Sequence, residues 1–140
     1  MPKKYNRSNC VYNINYHITW ITKYRYSILN ATIQDKLKEF IKYKCDELDV
    51  KIKAIEIMPN HIHIFISCKP FHNISKIVNY LKGYTSFNIR KAYPYLKKYK
   101  ALWTNSYFCE SIGFVSEKAI IKYIQNQKHI YFLIMRLFIL

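Results

Sequence analysis

Strands are predicted in four stretches of the chain. Apolar and polar residues alternate over about residues 10–23, with many β-branched and aromatic types, which is typical of a β-strand. Two further strands are predicted over 50–58 and 61–68, and the turn residues Pro59–Asn60 between them indicate a hairpin. A short strand, or a pair of strands, is predicted over 103–112.

Apolar residues three and four positions apart predict helices between these strands. The first helix follows a cap at Asn30 and runs to about Asp46, and the second runs from Ile74 to Tyr93 before Pro94. Their apolar stripes consist of Ile33, Leu37, Phe40, Ile41 and Cys45 in the first helix, and of Ile74, Ile77, Val78, Leu81, Tyr84 and Phe87 in the second. A third helix is predicted from an N-cap at Ser116, with Glu117 in its first turn, to about Lys128.

The predicted order of elements is β-α-β-β-α-β-α, which places the chain in the α+β class. Its first six elements match the ferredoxin-like βαββαβ plan, an antiparallel sheet with helices on one face. The seventh is an appended C-terminal helix that carries Tyr123. No linker or repeat divides the 140 residues, so we predict one domain over 1–140 with its core at about 10–128.

Composition narrows the class of partner. The chain has 23 Lys and Arg against 8 Asp and Glu, a net charge of +15, with 51% hydrophobic and 17% aromatic residues. So many aromatic residues exclude a disordered basic tail, and only 2 Gly exclude collagen-like and long-linker architectures. A compact fold with this charge attracts polyanions, so nucleic acid is the first partner expected and an anionic membrane surface the second.

The cysteines and the two ends of the chain bear on its compartment. Four cysteines, Cys10, Cys45, Cys68 and Cys109, form no CxxC pair, and the first residues lack a signal peptide's apolar run. We therefore expect free thiols and a cytoplasmic location. The apolar tail 130–140 is too short to span a bilayer and is interrupted by Arg136, so no membrane-spanning segment is expected there.

Two histidines form the first candidate site. Residues i and i+2 of a strand project to the same face, so His61 and His63 point together while Ile62 points the other way. Two imidazoles on a rigid strand can bind a divalent metal ion. Taken alone, the pattern also fits a strand with two incidental histidines.

Tyr123 and Gln127 form the second candidate site, because positions i and i+4 of a helix lie on the same face. A tyrosine can form a covalent phosphodiester intermediate, and an amide oxygen can ligate a hard cation such as Mg²⁺. Taken alone, the pair also fits a surface tyrosine beside a solvated glutamine.

Lysines and arginines alternate with tyrosines in several stretches, a pattern that suits single-stranded nucleic acid. The cations can follow a phosphate backbone, and the rings offer faces for unpaired bases. A solvated basic face would give the same pattern. The candidate DNA-binding residues are Lys23, Tyr24, Arg25, Lys82, Tyr84, Arg90, Lys97 and Lys98. His17 lies on an apolar strand and is interpreted as a core or groove residue.

Five blocks in order resemble the single-tyrosine HUH transposases of the insertion sequence 200/605 family. The signature of histidine, hydrophobic residue and histidine matches His61-Ile62-His63, preceded by Met58-Pro59-Asn60. The other blocks lie at 16–25, 81–86, 102–108 with 111–113, and 123–127.

The resemblance implies a ferredoxin-like core and a homodimer in which the tyrosine helix can complete the partner's active site. Carried over by position, Tyr123 would be the nucleophile that forms a 5′-phosphotyrosine, and His61, His63 and Gln127 would ligate Mg²⁺ or Mn²⁺. The substrates would be single-stranded DNA hairpins at the element's ends. The covalent link conserves the phosphodiester energy, so no nucleotide cofactor is expected, and the chain has no GxGxxG or GxxxxGK[ST] motif.

Other interpretations stay open. The family usually continues beyond the tyrosine helix in a polar segment, so the apolar tail 130–140 is either a final packed helix or the frameshift product of an inactive, decayed copy. A non-catalytic module that binds single-stranded nucleic acid on a ferredoxin-like fold would leave the four candidate site residues unexplained. A membrane-surface protein would explain the tail and the basic face but none of the ordered blocks, so no membrane partner is expected.

Overall fold

The computed structural model describes residues 5–7, 10–113 and 122. In this part of the chain the strands are β1 Tyr5–Arg7, β2 Cys10–Tyr12, β3 Ile14–Ile21, β4 Lys51–Met58, β5 His61–Cys68 and β6 Phe108–Ile112. The α-helices are α1 Ala31–Glu47 and α2 Ile74–Ala92, and short 3₁₀ segments lie at Lys23–Arg25 and Pro94–Lys98.

The central sheet contains four antiparallel strands in the order β4-β5-β3-β6, while β1 pairs with β2 in a separate hairpin. The strands β3 and β5 are therefore interior, and every strand of the predicted ferredoxin-like plan is present. Register places Ile21 opposite His61 and Thr19 opposite His63, and on the other side of β3 it places His17 opposite Glu110. The α+β class and the ferredoxin-like arrangement are confirmed.

One face of the sheet carries the hydrophobic core. Because side chains alternate along a strand, Ile62, Ile64 and Ile66 of β5 share a face and pack in one cluster with the buried stripes of both helices. Those stripes consist of Ile33, Leu37, Ile41 and Cys45 in α1 and of Ile77, Val78, Leu81, Thr85 and Ile89 in α2. Burying each large aliphatic side chain contributes about 1.5–3 kcal/mol. The opposite face is left for the histidines.

Both helices begin as the sequence predicts. The side chain of Asn30 accepts a hydrogen bond from the backbone N–H of Ile33 at 3.0 Å, and Asn73 accepts one from Lys76 at 3.3 Å. Each side chain satisfies a backbone donor that has no partner within its helix.

Three expectations need correction. The strand expected over 10–23 is interrupted at Asn13, because residues 10–12 pair with β1 whereas the sheet takes 14–21. The Phe87 side chain is 68% exposed, because the buried face of α2 continues from Leu81 through Thr85 and Ile89 at helical spacing. Within the stretch 103–112, where a strand was expected, the backbone of Trp103 pairs with Thr22 only in an isolated β-bridge, and the strand β6 begins at residue 108.

Apart from Lys122, the predicted helix from 116 to 128 lies outside the described residues, and so does the whole tail 130–140. None of the helices in the described part is long and apolar enough to cross a membrane.

Candidate functional site

His61 and His63 lie on β5, directly after the turn at Pro59–Asn60, on the face opposite the helices. Both side chains are buried, and their ring centroids are 4.6 Å apart with the planes at 89°. Because β5 is an interior strand, hydrogen-bonded on both sides, the two rings rest on a rigid support. The structure therefore places the predicted histidine pair together on one face.

Burial keeps both histidines neutral. Desolvation lowers the pKa of His61 to about 4. Desolvation first, and then the neighbouring His61 and His17, lower the pKa of His63 to about 3. At neutral pH each ring therefore has one nitrogen with a hydrogen and one with a lone pair. A neutral imidazole is the form that binds a metal ion.

The tautomer of His61 is set by its neighbour in the chain. Its Nδ1 lies 2.8 Å from Oδ1 of Asn60, and since an amide oxygen can only accept, Nδ1–H donates. The lone pair of the neutral ring is then on Nε2. Asn60 thus belongs to the site as well as to the turn.

A chain of polar groups extends from His63 across the sheet. Its Nδ1 lies 3.0 Å from Oγ1 of Thr19, which is 3.2 Å from Nε2 of His17, and the two histidine nitrogens are 3.3 Å apart. His17 Nδ1 then lies 3.3 Å from Oε1 of Glu110 on β6. Thr19, His17 and His63 are all buried.

Hydrogen-bond chemistry gives this chain a direction. The Glu110 carboxylate can only accept, so His17 donates from Nδ1 and accepts the Thr19 hydroxyl at Nε2. Thr19 Oγ1 then accepts from Nδ1–H of His63, which leaves the lone pair of His63 on Nε2. Burial lowers the pKa of His17, partly offset by its hydrogen bond to Glu110, so this ring is also neutral at pH 7.

Sequence reasoning missed Thr19 and Glu110 and treated His17 only as a core or groove residue. His17 is indeed fully buried, which confirms that interpretation, but it also makes polar contacts with the site. Positions 17 and 19 have the same i, i+2 spacing as the two site histidines, and that was the available signal. Glu110 had no local signal, because only the β3–β6 register brings it beside His17.

The candidate nucleophile Tyr123 and the candidate ligand Gln127 lie outside the described residues. Among the residues that are described, no group of three or more His, Cys, Asp or Glu is arranged to hold a metal ion. The described part of the chain therefore brings two candidate ligands, His61 and His63, together and holds no complete set of ligands.

The candidate DNA-binding residues fall at several places. Lys23, Tyr24 and Lys98 line a cleft of about 620 Å³ together with Tyr26, Tyr99, Lys100 and Ala101. Arg25 is exposed in the same turn as Tyr24. We call this cleft, with its seven lining residues, the tyrosine cleft.

The other candidates lie elsewhere on the described surface. Tyr84 stacks on Tyr43 of α1, with ring centroids 5.8 Å apart. Lys82 donates to the backbone oxygens of Thr104 and Ser106 at 2.6 and 3.2 Å, and burial lowers its pKa to about 8. Arg90 and Lys97 both line a further depression, beside Phe87 and Lys91.

Comparison with known proteins points to one family. Residues 10–127 match the model of a family described as "Transposase IS200 like". The chain is 32% identical over 120 residues to the ISDra2 transposase TnpA of Deinococcus radiodurans, covering 84% of this chain and 86% of the relative. It is 28% identical over 119 residues to the transposase for insertion sequence element IS200 of Salmonella typhimurium, covering 83% and 78%.

Solved structures agree with the sequence relatives. A crystal structure from Deinococcus radiodurans described as a transposase has a TM-score of 0.74 and 30% identity, covering 88% of this chain and 97% of that one. A REP-associated tyrosine transposase bound to a REP hairpin has a TM-score of 0.54, covering 86% and 73%. At 15% identity the second comparison shows a shared fold.

Proposed function

This chain belongs to the IS200-like transposase family, and on that premise we propose that it cleaves and rejoins single-stranded DNA at insertion-sequence ends through Tyr123. The family supports a DNA-processing enzyme. The observation that carries the finer proposal is the pair of buried, neutral histidines on one face of an interior strand, each with Nδ1 in a hydrogen bond.

In the proposed step the Tyr123 oxygen attacks the scissile phosphorus, and the bond between phosphorus and the 3′-oxygen breaks. The phenol proton leaves to solvent, and the departing oxygen takes up a proton to become a 3′-hydroxyl. The product is a 5′-phosphotyrosine that conserves the phosphodiester energy. A 3′-hydroxyl at the next junction reverses the step by attacking this phosphorus, which releases Tyr123.

The histidine pair fits a divalent metal ion. Neutral imidazoles are suitable ligands, and the hydrogen bonds of both rings place the lone pair on Nε2. A bound Mg²⁺ or Mn²⁺ would stabilise charge on the phosphate oxygens, with Gln127 proposed as the third ligand from the protein. The chain formed by Glu110, His17 and Thr19 holds the His63 ring in orientation and keeps its Nδ1 protonated.

We propose DNA hairpins as the substrate and a homodimer as the assembly. A structural neighbour with the same fold is described as a tyrosine transposase bound to a hairpin, which supports hairpin recognition here. The net charge of +15 supports binding to a phosphate backbone. The homodimer follows from the family resemblance, in which the tyrosine helix can complete the partner's site.

Covalent capture tests this proposal. The full chain is incubated with labelled single-stranded hairpin oligonucleotides from the flanks of its own gene, with and without Mg²⁺. We expect a protein–DNA adduct that resists denaturation, disappears with chelator, and is absent in Tyr123→Phe because the phenyl ring has no nucleophilic oxygen.

Tyr80→Phe is the matched control, because Tyr80 is a half-exposed tyrosine on α2 and should leave adduct formation unchanged. An adduct that persists in Tyr123→Phe would refute the assigned nucleophile. Binding of every hairpin without cleavage by the wild type would favour a non-catalytic module or a decayed copy.

A further inference from the structure

The tyrosine cleft lies on the described surface outside the histidine site. Three of its seven lining residues are tyrosines and three are lysines, and no carboxylate lines it among the described residues. Its volume is about 620 Å³. Cationic and aromatic groups without acids suit an anionic, aromatic ligand.

The tyrosine rings form a row along the cleft. The ring centroids of Tyr24 and Tyr26 are 5.7 Å apart, and those of Tyr26 and Tyr99 are 5.8 Å apart. The Tyr24 side chain is 73% exposed and that of Tyr26 is 48% exposed. Tyrosine rings that lie this close together and are exposed to solvent can stack on planar ligands.

Lysines stand at both ends of this row. The Lys23 ammonium lies 5.3 Å from the centroid of the Tyr24 ring, and the Lys98 ammonium lies 5.2 Å from that of Tyr99. Lys100 lines the same cleft and is exposed. Such a spacing of charges around ring faces matches a strand of unpaired nucleotides, in which charged phosphates alternate with flat bases.

The backbone that presents Tyr24 is strained. Tyr24 and Arg25 both have φ of 56°, a left-handed conformation that costs a residue with a Cβ atom free energy. Thr22 holds the turn in place. Its hydroxyl donates to the backbone oxygen of Tyr26 at 2.8 Å, and its backbone oxygen accepts from the N–H of Arg25 at 3.0 Å. Strain of this kind persists where surrounding contacts enforce it, and it is common at ligand sites.

The opposite wall is also fixed. Arg90 donates from Nη2 to the backbone oxygen of Tyr99 at 2.8 Å, and Lys23 N–H donates to the Leu102 oxygen at 2.9 Å. Both walls are therefore positioned before any ligand binds, which lowers the entropic cost of binding.

The cleft is coupled to the histidine site through the backbone. Thr22 N–H donates to the Asn60 oxygen at 3.0 Å, and the Asn60 side chain orients His61. Register independently places Ile21, two residues before Lys23, opposite His61. The cleft thus opens at the same end of the sheet as the first site histidine.

We propose that the tyrosine cleft binds the unpaired nucleotides next to the scissile phosphate, with bases stacked on Tyr24, Tyr26 and Tyr99. Lys23, Lys98 and Lys100 contact the phosphates between those bases. The identification of the ligand as DNA near a cleavage point rests on the proposed function. The ring row itself favours single strands over duplexes, whose bases are already stacked.

Binding variants test this site in the Tyr123→Phe background, so that cleavage does not interfere. The probe is a fluorescent hairpin oligonucleotide with a single-stranded extension, followed by anisotropy. Tyr24→Leu should weaken binding roughly 5- to 100-fold, because one stacked base is lost, whereas Tyr24→Phe keeps the ring and should restore most of the affinity. Tyr24 is exposed, so both variants should keep the wild-type thermal transition.

Tyr80→Leu is the matched control. Tyr80 is a half-exposed tyrosine with a lysine ammonium, that of Lys44, 5.6 Å from its ring centroid, but it lies on α2 outside the cleft. The Tyr80→Leu variant should bind the oligonucleotide as tightly as the chain that carries Tyr123→Phe alone. Equal losses in Tyr24→Leu and Tyr80→Leu, or no loss in either, would overturn the proposed site.

A positional probe locates the contact. 2-Aminopurine is placed at successive unpaired positions of the oligonucleotide, and its fluorescence should be quenched on binding only near the cleavage point and not in Tyr24→Leu. Quenching confined to the stem, or equal affinity for a blunt duplex, would contradict the inference.

The two proposals can fail separately. A wild-type chain that forms no adduct but shows Tyr24-dependent quenching would refute the cleavage mechanism and keep the cleft. A chain that forms the adduct but binds equally well with Tyr24→Leu would keep the mechanism and refute the cleft. Equal Tyr24-dependent affinity for a single-stranded RNA of the same sequence would refute the assignment of the ligand as DNA.

Discussion

At the scale of single residues, the orientation of His63 depends on groups far from it in sequence. His17 lies 46 positions away along the chain, and Glu110 lies 93 positions from His17. Together with Thr19 they set which His63 nitrogen carries the proton. Partners of this kind typically change metal affinity 10- to 100-fold when they are removed.

His17→Phe tests this role. Phenylalanine keeps a ring that can stack on Phe65, whose centroid lies 4.7 Å from that of His17, but it removes both nitrogens. We expect Mn²⁺ binding, measured by calorimetry on the DNA-free protein, to weaken about 10- to 100-fold. His17→Gln offers an amide oxygen in place of Nε2 and should recover part of the affinity.

The control for this experiment is His72→Phe. His72 accepts from Lys69 N–H at 2.7 Å and contacts the Leu48 oxygen, outside the site, so its Mn²⁺ affinity should not change. If His17→Phe binds Mn²⁺ as tightly as the wild type, the polar chain has no positioning role.

At the scale of elements, the apolar periodicity of α2 predicted the bounds of the helix correctly but part of its buried face wrongly. The 19-residue helix matches its expected bounds closely, but the stripe expected to include Phe87 instead runs through Thr85 to Ile89. A polar residue on the buried face concealed that stripe. Thr85 is accommodated there because its hydroxyl donates to the Leu81 oxygen at 2.7 Å and accepts from Trp103 Nε1 at 3.1 Å.

Two alanine substitutions on α2 separate the buried face from the exposed one. Leu81→Ala removes a fully buried side chain and should lower the free energy of unfolding by about 2–5 kcal/mol. Phe87→Ala removes a side chain that is 68% exposed and should change it by about 0.5 kcal/mol or less. Urea unfolding followed by circular dichroism measures both, and equal losses would show that Phe87 is packed in solution.

At the scale of the whole molecule, the lysines behind the net charge of +15 are not expected to contribute equally to DNA binding. A lysine that contacts a phosphate displaces a counterion from the DNA on binding. A lysine elsewhere on the surface attracts the DNA only weakly, through the overall field of the protein. The tyrosine cleft concentrates Lys98 and Lys100, while Lys42 and Lys76 are exposed on the helices.

Two double variants with the same change in net charge test this difference. Lys98→Gln with Lys100→Gln should reduce the slope of log affinity against log salt for single-stranded DNA by about 1.4, or about 0.7 per phosphate contact. Lys42→Gln with Lys76→Gln should leave the slope close to that of the wild type. Salt titrations by anisotropy decide, and equal slopes for both pairs would show that the charge acts only as a diffuse field.

Much of the fold was predictable because the relevant signals are local. Asn30 caps a helix within three residues, and the turn at Pro59–Asn60 joins two adjacent strands. The break at Asn13 was not predictable in this way, because it depends on residues 10–12 finding partners in 5–7 rather than in the sheet.

The sequence by itself determined the order of the elements from β3 to β6, the shared face of His61 and His63, and the family, because periodicity and motif spacing are properties of neighbouring residues. Only the tertiary structure decided that His17 and Glu110 belong to that site and that Tyr26 and Tyr99 join Tyr24 in one cleft. The physical reason is that strand register and loop packing bring together residues separated by dozens of positions, and no local pattern encodes which of them meet.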